Sequence, residues 1–323
     1  MEWDILLAIL PSVVVDGLVL GFVYAMIALG YTMVYGVLQM INFAHSEIFV
    51  AGAFVGAEIL LLLQSRGALL GVHPLMLLAL IVLAAMAVSG LLAVTVERIA
   101  YRPLRGAPRL IPLISAIGVS FFLQDAIRLF ESLWRNAFFL TYPTLEFFDA
   151  RIPLAGEIDV SVKSVLVVIA ALLMLVVLTL FVNRTKLGTA IRAVAEDQAT
   201  AGLMGINVGQ MISLTFLIGG AMGGAAGALF GVQFGTINPY TGFIPGIKAF
   251  TAAVLGGIGN VPGAMVGGLV LGMLETFAAS YMSLLTGGAF GAEYKDIFAF
   301  SVLILILMFR PRGLLGEVVR EKL

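Results

Sequence analysis

The sequence predicts an all-α, polytopic helical membrane protein with about eight to nine transmembrane helices. Three observations carry that prediction. Hydrophobic residues make up 61% of the chain and charged ones only 11%, against roughly 45–50% and about 25% in soluble domains, so lipid is the expected solvent. Several apolar runs exceed about 18 residues with few or no charges, the length needed to cross the hydrocarbon core. The short alternating segments of a transmembrane β-barrel are not seen.

In chain order the apolar runs fall at 12–37, 48–64, 74–97, 110–133, 162–183, 208–232, 243–258, 262–285 and 294–310. The opening MEWD is acidic and lacks the basic region of a cleaved signal peptide, so the first span is expected to stay as an anchor. Basic residues orient the rest. Arg98, Arg102, Arg105 and Arg109 share one short loop, Arg184, Lys186 and Arg192 a second, and Arg310, Arg312, Arg320 and Lys322 follow the last span. The positive-inside rule places all three on the cytoplasmic side. The 134–161 connection mixes Arg135 and Arg151 with Glu146, Asp149, Glu157 and Asp159, which suits the outside. Nine spans with the N-terminus outside and the C-terminus cytoplasmic satisfy every assignment. The 243–258 run is short and interrupted by Pro245 and Lys248, so a re-entrant segment with eight full spans is the alternative.

The loop at 183–207, NRTKLGTAIRAVAEDQATAGLMGIN, has more internal order than a connector needs. Ile191, Val194, Ala195, Ala199, Gly202 and Leu203 fall near helical spacing, while Arg192, Glu196 and Thr200 recur on another face. Asp197 is placed to cap a short second helix. Gly205 is placed to end it in the left-handed conformation, with Ile206 packing back. Such a loop is either a docking element or a connector that touches only its own chain.

Glycine is patterned too. Gly219, Gly223, Gly227 and Gly231 recur every fourth residue, and Gly263/Gly267 and Gly268/Gly272 repeat the spacing. Small-xxx-small faces let helix backbones approach closely in lipid, either for tight packing or as a seam that slides. A faint internal repeat relates Ile41-Asn42, Ile48 and Ala53-Phe54 to Ile237-Asn238, Ile244 and Ala249-Phe250 at constant offset. Repeats with interrupted helices mark transporters.

Between the first two spans, Asn42, His45, Ser46 and Glu47 crowd into a few positions. Ionisable groups at membrane depth face a cavity, a pathway or each other. The alternative is a turn at the bilayer surface, with Asn42 capping the next helix and Glu47 favouring its positive end. Glu58 and Glu275 are expected in helix-end or interhelical hydrogen bonds, with proton carriage the alternative, and Asp125 with Arg128 in a local ion pair. Lys248 either faces the pore or snorkels to the interface. Catalysis finds little support. No cysteine is present, HExxH and GxSxG are missing, and no metal pair is suggested by the spacing of His45 and His73. None of the five lysines follows a glycine, so the chain lacks a GxxxxGK[ST] phosphate loop. A net charge of −1 gives no reason to expect nucleic acid.

GYTMVYGVLQMINFAHSEIFVAGAF resembles the first block of permease subunits of branched-chain amino-acid ABC importers, of the LivH type. RAVAEDQATAGLMGINV resembles that family's cytoplasmic coupling segment and AVLGGIGNVPGAMVGGLVLG its later glycine-rich block. The resemblance implies the ABC importer permease fold in one transmembrane domain, 1–323, with a coupling loop at about 184–207. It implies a heterodimeric pore with a LivM-like permease, two cytoplasmic ATPases carrying ATP and Mg, and a soluble substrate-binding protein, in a bacterial or archaeal inner membrane. No cofactor is expected on this chain. Arg192, Glu196, Asp197 and Gly205 are then expected to couple to the ATPase, and Asn42, His45, Glu47, Asn238 and Lys248 to line the translocation path. The family usually carries glycine where Ser46 stands; serine disfavours a positive φ there and bears on substrate identity. Branched-chain amino acids are the first expectation, urea or short amides the second, sugars the third. A secondary transporter or channel acting alone is the reading from a different class.

Overall fold

In a computed structural model, residues 3–108, 110–155 and 158–316 are described. The expectations for Arg109, Glu157, Arg320 and Lys322 and for the first two residues lie outside them. The chain is a helical membrane bundle. Among the described residues, seven helices are long and apolar enough to cross a bilayer: α1 (Trp3–Leu38), α2 (His45–Ser65), α3 (Pro74–Val96), α4 (Leu110–Trp134), then α6 (Val162–Arg184), α9 (Val208–Phe234) and α11 (Val261–Leu285). A one-turn α5 (Glu146–Asp149) precedes α6, while α7 (Lys186–Glu196) and α8 (Gln198–Leu203) follow it. The runs expected at 243–258 and 294–310 become α10 (Phe243–Gly256), of 14 residues, and α12 (Lys295–Phe309), of 15. At 1.5 Å per residue α10 is about 21 Å long, short of the roughly 30 Å core.

Small residues set how these helices meet. α1 and α11 pack antiparallel: a β-carbon on Gly17 would meet Met273, and one on Gly268 would meet Ala25. α10 and α11 pack antiparallel through Gly256 against Gly263 and Gly267 against Ala252. The fourfold glycine row on α9 faces several neighbours in turn. Gly219 meets Val34 and the Gly30 carbonyl, Gly223 the His45 ring, Gly227 the backbone of Phe49 and Ala53, and Gly231 the ring of Tyr142. On its other side, Gly220 and Gly224 let Ser89 and its neighbours in α3 approach. The row is therefore close packing on every contacting side.

The connection after α4, read from sequence only as an extramembrane loop, contains strands. β1 (Leu140–Thr141) pairs antiparallel with β4 (Thr236–Ile237), Leu140 opposite Ile237. β2 (Arg151–Ala155) pairs with β3 (Ile158–Ser161). Gly235, at φ 78°, ends α9 in the left-handed region and turns the chain into β4. Tyr142 follows β1 and drives its buried side chain between α2 and α9, its hydroxyl donating to the Ala53 carbonyl at 2.5 Å. Burial pushes this phenol's pKa up.

At the opposite end of the bundle the arginine-rich 97–109 connection winds as a π-turn over Glu97–Tyr101 and a 3₁₀ turn over Arg102–Leu104. Glu97 is wholly buried, receiving Arg105 and, at 2.6 Å, the hydroxyl of Ser213 on α9.

Candidate functional site

The polar residues between the first two spans form one buried node. α1 ends at Leu38, Gln39 adopts a φ of 52°, and α2 starts at His45. Asn42, His45, Ser46 and Glu47 are each no more than 6% exposed. This corrects the surface-turn reading. Asn42 does not cap α2, whose cap position is Ala44 without a side-chain bond; its amide oxygen instead accepts from the Tyr101 hydroxyl at 2.7 Å. The His45 ring meets Tyr31 edge-on at 4.5 Å between centroids, and it occupies space that β-carbons on Gly30 and Gly223 would fill. Glycine at both positions makes room for an imidazole in the helix seam.

Ser46 lies in right-handed helix, so a positive φ is not at issue. Its hydroxyl donates to the Phe43 carbonyl at 2.7 Å, and Gly246 of α10 leaves room for its side chain. Glu47 Oε1 receives Ser46 at 3.3 Å, and Ser120 and Gln124 from α4 at 3.2 Å each. These α4 groups were missed by sequence reading: 73 and 77 residues separate them from Glu47, and no local spacing links them.

The repeat noted in the sequence now has a location. Ile41-Asn42 leads into α2, and Ile237-Asn238 leads into α10. The first turns of α2 and α10 lie side by side in opposite directions. Gly242 rests on Ser46 and Val50, Gly246 on Ser46, and Phe250 lies near Phe43. Two helix starts, each preceded by non-helical chain, therefore converge beside Glu47. Asn238 is tied into its own turn: its side-chain oxygen accepts from Tyr240 N, and its backbone N–H donates to Thr241 Oγ1, both at 2.8 Å.

Lys248 does not snorkel. It is 5% exposed and sits 2.8 Å from both Glu275 and Asp296; Lys295 is 2.9 Å from Glu275. Tyr24 donates to the other Glu275 oxygen at 2.7 Å and offers its ring to the ammonium at 5.6 Å. Two lysines and two acids thus neutralise one another where α1, α10, α11 and α12 meet, as an interhelical role for Glu275 required. Glu58 pairs with Arg135 of the following connection, at 2.7 Å between Oε2 and Nη2. Asp125 and Arg128 form a loose 4.0 Å pair.

The 183–207 segment folds as two short helices. Thr185 caps α7 by accepting from Gly188 N at 2.9 Å, and Asp197 caps α8 by accepting from Ala199 N and Thr200 N at 2.8 and 3.1 Å. The Thr200 hydroxyl, donating to the same carboxyl, is the main cause that holds the Asp197 pKa below the usual carboxylate range. Gly205, at φ 84°, and the bond from Ile206 N to the Ala201 carbonyl at 3.0 Å end α8. The buried side consists of Gly188, Ile191, Val194 and Ala201. Ala199 and Leu203, expected on that side, are exposed, because the helical phase restarts at the Asp197 cap. Leu203 is 88% and Met204 79% exposed. Arg192, Glu196 and Asp197 face outward as well. A cavity of about 170 Å³ lies between the first residue of α8, Gln198, and the turn after α1, lined also by Met40, Tyr101 and Arg105.

Comparison with known proteins identifies the family. Residues 13–307 match the family model described as branched-chain amino acid transport system / permease component. The chain is 47% identical over 311 residues to the high-affinity branched-chain amino acid transport system permease protein BraD of Pseudomonas aeruginosa, covering 95% of this chain and 96% of that protein. To LivH of Escherichia coli, of the same description, it is 43% identical over 315 residues, again 95% and 96%. A shorter likeness, 29% over 149 residues, reaches 44% of this chain and 32% of the permease protein LivM of Escherichia coli. No solved structure matches the chain. A polytopic helical bundle with a buried polar node and a match to the family model over most of its length belongs to the permease components of branched-chain amino-acid transport systems.

Proposed function

We propose that this chain is one permease subunit of an ATP-driven importer for branched-chain amino acids, in an inner or plasma membrane with its N-terminus outside. It pairs with a LivM-like permease, and two ATPases bind the 184–207 segment from the cytoplasm. ATP and Mg belong to those ATPases. A soluble binding protein delivers cargo to the other face. Asn42, His45 and Glu47 border the translocation path, with Asn238 shaping the opposite lead-in and Lys248 fixing α10 in place.

The observation that carries the coupling role is the pair Leu203 and Met204. Two large apolar side chains stand almost fully exposed on a capped, rigid turn beside outward-facing Arg192 and Glu196. Their exposure gains nothing for this chain alone, whereas burial in a partner groove repays it. Tyr101, which donates to Asn42 of the node, and Gln198, the first residue of α8, line the same cavity, so a shift of α8 would act on the node's surroundings.

The test is purification of the complex carrying L203E and M204E. ATPase subunits should no longer co-purify, while the permease keeps its yield. ATPases retained at wild-type stoichiometry, with normal leucine uptake in proteoliposomes, would refute the docking role.

A further inference from the structure

Glu47 is a wholly buried carboxylate with no cation in ion-pair range among the described residues. Glu58, Glu97 and Glu275 each have an arginine or lysine, while Glu131 near the end of α4 is the other buried glutamate without an ion pair among the described residues. Ser46, Ser120 and Gln124 approach only its Oε1 atom, and Oε2 has no hydrogen-bond partner. An acid at this depth is costly without a positive counterpart.

A cation borders the same seam. Arg128 lies one turn along α4 from Gln124, a rise of about 6 Å. It donates to the Tyr240 hydroxyl at 3.2 Å and only loosely approaches Asp125. Its side chain is 57% exposed, and Asp125's 71%, although both stand within a membrane-spanning helix. A guanidinium has five N–H donors, so most remain free. Tyr240 is two residues from Gly242, which rests on Ser46, the neighbour of Glu47. Gln124 on one side and the Tyr240–Gly242 turn on the other therefore link Arg128 to Glu47.

We propose that this seam between α2, α4 and the lead-in to α10 is the subsite for the zwitterionic head of the transported amino acid. Glu47 receives the α-ammonium, and Arg128 takes the α-carboxylate with its forked donors. The exposed side of Arg128 and Asp125 faces the water-filled gap that the second permease closes, since bare lipid would not accept either charge. The assignment rests on the reading of the cargo as an amino acid.

The test uses the assembled complex in proteoliposomes with saturating leucine-loaded binding protein. E47Q and R128Q should each lower maximal leucine uptake by about tenfold or more, as loss of a charged hydrogen bond predicts. The loaded binding protein's half-saturating concentration should stay unchanged, and E47D and R128K should recover part of the rate, which a purely structural role would not produce. Uptake within about twofold of wild type in either Gln variant overturns the subsite. Should E47Q fail to assemble, R128Q and R128K, at an exposed position, decide alone by the same criterion. A wild-type complex that hydrolyses ATP yet takes up no amino acid overturns the cargo reading, and the subsite with it.

Discussion

The node at the start of α2 and the turn at the end of α8 invert the usual rule in opposite ways. The node buries a carboxylate, an amide and an imidazole inside a membrane bundle. The turn holds Leu203 and Met204 out in the open. Each arrangement is held by structure that has no slack. Around the node, glycines at 30, 223, 242 and 246 let neighbouring helices close directly on His45 and Ser46. At the turn, Asp197 and Gly205 fix both ends of a six-residue helix too short to persist by itself. Groups kept where their own chain does not satisfy them are the ones the proposed docking and cargo-binding roles would use.

The comparison breaks most violently at α9. A side chain at Gly227 would collide with the Phe49 carbonyl and the Ala53 amide, so G227V should cost about 3 kcal/mol or more by overpacking. It should appear as loss of monodisperse protein in detergent, while G118A, where a β-carbon meets nothing, purifies normally. Next is K248M, which leaves Asp296 without its lysine and Glu275 with one instead of two. Thermal unfolding should show a loss of about 3 kcal/mol, and adding E275M should restore part of it.

The α8 turn should respond to a smaller, more selective change. D197A removes two backbone acceptor contacts and should loosen the helix without lowering the stability of the bundle, seen as faster proteolysis after Arg192. Because hydrogen bonds depress the Asp197 pKa, its cap is complete above the ordinary carboxylate range and is lost only as pH falls through the lowered value. D197N keeps an acceptor, so its turn should survive further into acid than the wild type's. The smallest effect belongs to D125N: the 4.0 Å pair is exposed, and folding stability should move by no more than about 0.5 kcal/mol.

Much of the fold was legible because lipid makes the code simple. The long apolar runs became helices, and the glycine row became a packing row. Asp197 and Gly205 were legible because capping is local. The phase of α8 was misread, since one helical period was carried through a cap that resets it. The environment of Glu47 was not legible, because Ser120 and Gln124 reach it only through tertiary packing. For the same reason Tyr101 could not be matched to Asn42, nor Asp296 to Lys248, nor Lys295 to Glu275. Sequence spacing located the polar clusters; it could not say which helix would answer them.

Tyr142 gives the bundle a mechanical handle. It directly follows a short two-strand ribbon outside the helices, yet its tip ends on the Ala53 carbonyl, wedged beside Gly56 and Gly231. A push or pull on that ribbon is therefore delivered straight into the α2–α9 contact, with no flexible linkage to absorb it. Because burial makes the phenol harder to ionise, acid or mild alkali leaves this lever engaged, and only force or unfolding withdraws it.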